Sequence, residues 1–146
     1  SQTTWSGPLA SGDINAGKTG GPNIGLALLS QTVLINFDAT LVQNGTVYLP
    51  YKSQIVDIIV DVLTQYDSAT SATLSVGTSS AATTYASGVN VKTGIRVLPT
   101  FTAAQLAAMD DIGTNGTVVA TVTSVGQPTV GQVRVTYRYV QTTAND

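Results

Sequence analysis

Hydrophobic and polar positions follow two different rules along this chain, and the boundary falls near residue 25. From residue 26 onward apolar residues tend to recur at period two, the spacing of a half-buried strand. Leu29, Val33, Ile35 and Phe37 fall on one side of such a ladder over residues 26–37. Residues 132–140 alternate cleanly, with Val133, Val135, Tyr137 and Tyr139 on one face and Arg134, Thr136 and Arg138 on the other. Residues 117–125 are mostly Val and Thr, and residues 55–64 are nearly continuous in Val and Ile, which suits a strand buried on both faces. Shorter strands are expected at 46–49 and 73–76, with further sheet at 85, 89–91 and 95–98. Turn chemistry separates them. Asn44-Gly45 reads as the positive-φ pair of a tight hairpin, Pro50 as a strand end, and Gly126-Gln127-Pro128 as a turn.

One helical pattern interrupts the strands. Thr102 can cap, and Gln105 three residues later completes a capping-box pattern ahead of Leu106, Ala107, Ala108 and Met109. Asp110-Asp111-Ile112-Gly113 ends it, although acids at a helix C-terminus oppose the dipole. Many short strands, a turn signal every ten residues or so and one short helix predict an all-β antiparallel sandwich, jelly-roll-like, over residues 26–146.

Residues 1–25 read differently. Gly7, Gly12, Gly17, Gly20, Gly21 and Gly25, with Pro8 and Pro22, leave no periodicity, so an extended N-terminal arm is expected. Trp5, the only Trp, sits there beside Leu9, Ile14 and Ile24, too few apolar residues to form a core. Trp5 either folds back onto its own domain or anchors the arm on a partner, since Trp is enriched at binding hot spots.

Composition narrows the chemistry. The 146 residues include no His and no Cys, and all eight acids are Asp. The usual proton shuttle near neutral pH and the usual zinc ligands are therefore missing. Ser and Thr are abundant, but a nucleophile without an adjacent base is inert, so no enzyme activity and no cofactor are expected. The net charge of -2 marks neither a nucleic-acid binder nor an anionic-membrane binder. Charged residues make up only 10% of the chain, against about 25% in ordinary domains, which points to surface covered by copies of itself or by a partner. No stretch reaches the length of a membrane helix, and no signal peptide is visible at the N-terminus.

Four motifs compete with simpler explanations. Residues 12–19, Gly-Asp-Ile-Asn-Ala-Gly-Lys-Thr, satisfy the phosphate-loop pattern letter for letter. A working phosphate loop needs a buried strand before it and a helix after it, and Gly20-Gly21-Pro22 prevents that helix. Asp110, Asp111 and Asn115 could supply calcium oxygens, but their spacing is not that of a helix–loop–helix calcium site. Asn44-Gly45-Thr46 and Asn115-Gly116-Thr117 are formal glycosylation acceptors, better explained as turns. Asp57 and Asp61 share a strand face about 13 Å apart, too far for a glycosidase pair. Arg134 and Arg138 repeat that four-residue spacing, so cross-strand or intersubunit Asp–Arg pairs are expected.

Several segments carry a family likeness. Residues 21–25 (Gly-Pro-Asn-Ile-Gly) and 28–33 (Leu-Leu-Ser-Gln-Thr-Val) resemble small virion proteins of tailed bacteriophages. The likeness continues in Val47-Tyr48-Leu49-Pro50, Ser53-Gln54-Ile55-Val56-Asp57 and residues 71–77, Ser-Ala-Thr-Leu-Ser-Val-Gly. Thr102-Ala103-Ala104-Gln105-Leu106 and the Thr/Val-rich end fit too. The resemblance, to capsid decoration (cement) proteins, implies a homotrimer on the outer surface of the virion that bridges copies of the major capsid protein. It implies anchors in the arm, at Trp5, Leu9, Ile14, Pro22 and Ile24. It implies no small-molecule substrate, no nucleic acid and no membrane. The alternatives are a fibre, spike or baseplate component, or a carbohydrate-binding sandwich with an exposed platform drawn from Tyr48, Tyr51, Tyr66, Tyr85, Tyr137 and Tyr139.

Overall fold

The computed structural model describes residues 8–11, 23–93 and 95–141, with only the backbone pairing described for 8–11 and 23–26. Among these residues run ten strands and one helix: β1 (Pro8–Ser11), β2 (Asn23–Leu26), β3 (Leu29–Asn36), β4 (Val42–Tyr48), β5 (Ser53–Thr64), β6 (Ser71–Gly77), β7 (Ala86–Asn90), β8 (Arg96–Val97), α1 (Ala103–Asp110), β9 (Thr117–Val125) and β10 (Gln132–Gln141). Two four-stranded antiparallel sheets, β3-β10-β5-β8 and β4-β9-β6-β7, form a sandwich, and β1 pairs with β2 in a separate two-stranded sheet. The all-β sandwich with one short helix is thus as the periodicity predicts.

Inward residues of both sheets make the core. On β10 these are Val133, Val135, Tyr137 and Tyr139; opposite them lie Leu74, Val76, Val118, Ala120 and Val122. β-Branched side chains dominate because their stiff χ1 suits a pleated surface. α1 starts at the capping box expected from its sequence: Thr102 Oγ1 accepts from Gln105 N at 3.2 Å, and Gln105 Oε1 accepts from Thr102 N at 2.9 Å. Met109 enters the core and Gln105 Nε2 donates to Thr83 O at 3.1 Å, so the helix closes one end of the sandwich.

Several sequence expectations are corrected. Asn44-Gly45 is not a hairpin turn but lies inside β4, with Gly45 opposite Ala120. A Cβ at Gly45 would sit 2.8 Å from Val33 Cγ2 and 2.9 Å from Ile35 Cγ1. Glycine is present for close approach of the two sheets, not for a positive φ. Asn44 Oδ1 accepts from Thr121 Oγ1 at 2.8 Å and Ser80 Oγ at 3.1 Å, which ties the loop after β6 to the outer face of its sheet. Within the segment read as an extended arm without periodicity, Pro8–Ser11 pairs with Asn23–Leu26 as β1 and β2. Four-residue strands are too short to display a period, and backbone pairing does not require one.

Two further differences concern β5 and β3. β5 is not buried evenly on both faces: Ile55, Ile58, Val60 and Val62 point inward, while Val56 and Leu63 are exposed. The register with β10 skips Val56 and Leu63, so each is the extra residue of a bulge. Phe37 leaves the inward ladder because β3 ends at Asn36, where the chain turns and Phe37 N donates to Gly131 O.

Candidate interaction surface

The outer face of the β3-β10-β5-β8 sheet carries a cluster of charged side chains. All three arginines of the sequence, Arg96, Arg134 and Arg138, lie on it, together with Asp57 and Asp61. Strand register explains how. Leu34, Arg134, Asp61 and Arg96 are successive partners across all four strands and form one line. At a strand spacing of roughly 4.8 Å that line runs about 14 Å.

Asp61 is the hinge of the line. Its carboxylate accepts from Arg96 Nε at 2.7 Å and from Arg134 Nη2 at 3.3 Å, and the residue is only 8% exposed. Hydrogen bonding from Arg96 is the main cause that lowers the Asp61 pKa from its ordinary value; burial opposes it, and Arg134 adds to the lowering. The other cross-strand pair is looser. Arg138 stands opposite Asp57 in register, but no ion pair joins them among the described residues, and Asp57 Oδ1 accepts from Ile58 N at 2.9 Å. The sequence pattern singles out Asp57, Asp61, Arg134 and Arg138 but misses Arg96. The signal for Arg96 lies only in strand order, since β8 is two residues long and shows no period of its own.

The same sheet also exposes apolar side chains at one end. Each strand of the sheet contributes one exposed large apolar side chain at the end away from α1: Phe37 after β3, Val130 before β10, Leu63 near the end of β5 and Ile95 before β8. Their exposure runs from 40% for Phe37 to 80% for Ile95. Backbone bonds fix the ends that carry them: Phe37 N to Gly131 O, next to Val130, at 3.0 Å, and Val62 N, next to Leu63, to Ile95 O at 2.6 Å. A shallow pocket of about 440 Å³ opens among Phe37, Thr64, Val130 and Gln132. Carboxylates cap the loops here. Asp67 Oδ1 accepts from Thr129 N at 2.7 Å, and Asp38 Oδ1 accepts from Thr40 N at 2.8 Å and Gln43 Nε2 at 3.1 Å. The row is therefore presented by fixed turns.

The other residues singled out by sequence pattern fall as follows. Trp5, Ile14 and Pro22, and the phosphate-loop match over 12–19, lie outside the described residues. Leu9 lies in β1 and Ile24 in β2. Asp110 Oδ1 accepts from Gln54 Nε2, Asp111 Oδ1 from Gly113 N and Asn115 Oδ1 from Thr117 N, so each serves local structure. Tyr66, Tyr85, Tyr137 and Tyr139 are core residues, which leaves Tyr48 and Tyr51 exposed. No helix among the described residues is long and apolar enough to cross a membrane. Comparison with protein-family models, with curated proteins and with solved structures found no match to this chain.

Proposed function

We propose that this chain is a non-enzymatic structural component of a tailed-phage virion, a decoration protein on the outer capsid surface. In this reading it acts as a trimer that bridges copies of the major capsid protein, with its N-terminal residues as anchors. The observation that carries the reading is a single sheet that bears four exposed apolar side chains at the end away from α1 and all three arginines of the sequence, in a chain with 10% charged residues. Interfaces favour that combination of an apolar centre with Arg and few other charges. An apolar row of this kind, left to water, has no stabilising role in an isolated domain.

Strand order supports the same reading. Counting the eight sandwich strands from β3, the hydrogen-bonded pairs include first with eighth, second with seventh, third with sixth and fourth with fifth. Such nested pairing supports the jelly-roll reading, an architecture shared by viral capsid domains, lectins and cupins. Fold alone does not choose among these; the resemblance of segments such as 21–25, 47–50 and 71–77 to phage virion proteins favours the first.

Two measurements test the proposal. Light scattering after size exclusion is expected to give a species at three times 15.0 kDa. The protein is also expected to bind DNA-filled phage heads stripped of decoration protein in a fixed ratio. The double variant Leu63→Asp/Ile95→Asp should keep its circular dichroism and lose that binding. Undiminished occupancy by the folded variant would sink the proposal.

A further inference from the structure

Of six tyrosines, the two that are exposed line one cleft. Tyr48 is 70% exposed and Tyr51 60%. With Leu49, Thr114, Asn115, Gly116 and Thr117 they enclose about 360 Å³. This cleft lies at the end of β4, away from the Phe37–Ile95 row at the other end of the sandwich.

The cleft is built by fixed backbone. Tyr48 and Thr117 are directly opposed in the β4–β9 register, and Leu49 N donates to Gly116 O at 2.8 Å. Any Cβ at Gly116 would collide with Leu49 O, so glycine lets the two segments close up. Tyr51 occupies the second position of a tight turn in which Ser53 N and Ser53 Oγ donate to Pro50 O at 3.3 and 2.6 Å. Lys52, the third position, holds φ at 60°, a left-handed value that costs a non-glycine residue roughly 1 kcal/mol. Lys52 N donates to Gly113 O at 2.7 Å, which fixes the turn against the loop before β9. Strained, over-determined turns of this kind cluster at binding sites.

The chemistry of the lining selects a ligand class. It holds two aromatic rings, an amide and two hydroxyls, and no charged side chain. The Asn115 oxygen is committed to Thr117 N at 3.1 Å, while its amide nitrogen and the hydroxyls of Thr114 and Thr117 take no hydrogen bond among the described residues. Rings that offer an apolar face beside uncommitted donors and acceptors fit a molecule that is apolar on one face and hydroxylated at its rim. A phosphate or carboxylate would find no cation in the lining, and a purely apolar ligand would strand the amide and hydroxyls.

We infer that the Tyr48–Tyr51 cleft is a binding site for a neutral saccharide, one pyranose ring stacking on the tyrosines while Asn115, Thr114 and Thr117 bond its hydroxyls. This site is independent of the assembly surface and stands whether or not the chain decorates a capsid.

Saturation-transfer NMR on the full chain tests it. The probes are glucose, galactose, mannose, N-acetylglucosamine and their neutral trisaccharides, with glucuronic acid as the charged comparison. At least one neutral probe is expected to bind in the millimolar range or tighter. Tyr51→Ala and Tyr48→Ala should each weaken it by about tenfold, the effect of roughly one good contact, whereas Tyr51→Phe should retain the stacking and most of the affinity. Both tyrosines are exposed, so the variants are expected to melt as the wild type does. Silence from every neutral probe, preference for glucuronic acid, or binding indifferent to both alanine variants would each overturn the assignment.

Discussion

Gly45→Ala is the sharpest test of how the two sheets meet. Gly45 lies in the middle of β4 and does not have a positive φ, so alanine is allowed by the backbone. Its methyl group would stand 2.8 Å from Val33 Cγ2, 2.9 Å from Ile35 Cγ1 and 3.3 Å from Ile35 Cδ1. Carbon atoms rest at about 3.5–4.0 Å, so two side chains of β3 must retreat by roughly 0.7–1 Å. Overpacking of that size costs about 1–3 kcal/mol. The stiffer unfolded chain returns about 0.4–1 kcal/mol. The net loss is about 1–2 kcal/mol, or a fall in Tm of roughly 3–6 °C for a domain of this size. Calorimetry measures it, and a double-mutant cycle locates it. Val33→Ala removes the nearest obstructing atom, so the double variant should be about 1 kcal/mol more stable than the sum of the single effects. A neutral or stabilising Gly45→Ala refutes the close approach. So does a cost unchanged in the Val33→Ala background, because it would place the penalty in the backbone of a turn.

Arg134→Ala is expected to cost about 0.5 kcal/mol in denaturant unfolding, the range of partly exposed pairs, and added salt should shrink the difference. Asp61→Ala should cost more, because Arg96 and Arg134 then face each other without the carboxylate between them; equal stability of the two variants would contradict the geometry. The Asp61 pKa is lowered by folding, so its stabilisation is present above the unfolded carboxylate value of about 3.9 and is lost as pH falls through the folded value. The difference in Tm between wild type and Asp61→Asn should therefore be constant near neutrality and vanish in acid. Burial raises the phenol pKa values of Tyr66, to about 12, and of Tyr85 and Tyr137. Their contribution to stability is intact below the unfolded value of about 10 and lost as pH rises above it. Ultraviolet titration should show these phenolates appearing only with a cooperative alkaline unfolding; smooth ionisation of all six tyrosines in the folded chain would refute their burial.

Local physics was legible and long-range order was not. Strong periodicity announced β10, and Val/Thr density announced β9 with both ends where they fall. The Thr102 and Gln105 pattern announced the helix start, because a capping box is closed within four residues. Asn44-Gly45 misled because the same dipeptide serves a turn and a close packing contact, and only the position of Val33 and Ile35 tells them apart. The apolar row was invisible for a similar reason. Phe37, Leu63, Ile95 and Val130 are far apart in sequence and come to one end of a sheet only because β3, β10, β5 and β8 are neighbours in that order. The Tyr48–Tyr51 cleft likewise needs the loop before β9 to be laid beside the turn after β4.

The position of one bulge connects the charges to the register. Along β5, Ile55 has the same odd-numbered parity as Asp57 and Asp61, so an unbroken strand would face it outward with the acids. The bulge at Val56 reverses the parity, and Ile55 turns inward opposite Tyr139 while Asp57, Ile59 and Asp61 stay on the outer face. Because the extra residue lies before Asp57, the stretch from Asp57 to Asp61 runs in step with Arg138 to Arg134. A bulge inside that stretch would break one pairing. A slip of one residue would drive Asp61 toward a core of Val60, Val62 and Val133, where a lone carboxylate is costly. A Val/Ile run such as residues 55–63 pairs almost equally well in neighbouring registers, so its own side chains specify alignment weakly. Asp61, held by Arg134 on one side and Arg96 on the other, makes the wrong alignments expensive. The same alignment sets Val62 against Ile95 and Thr64 against Gln132, so the charged line also fixes which residues lie at the exposed apolar end of the sheet.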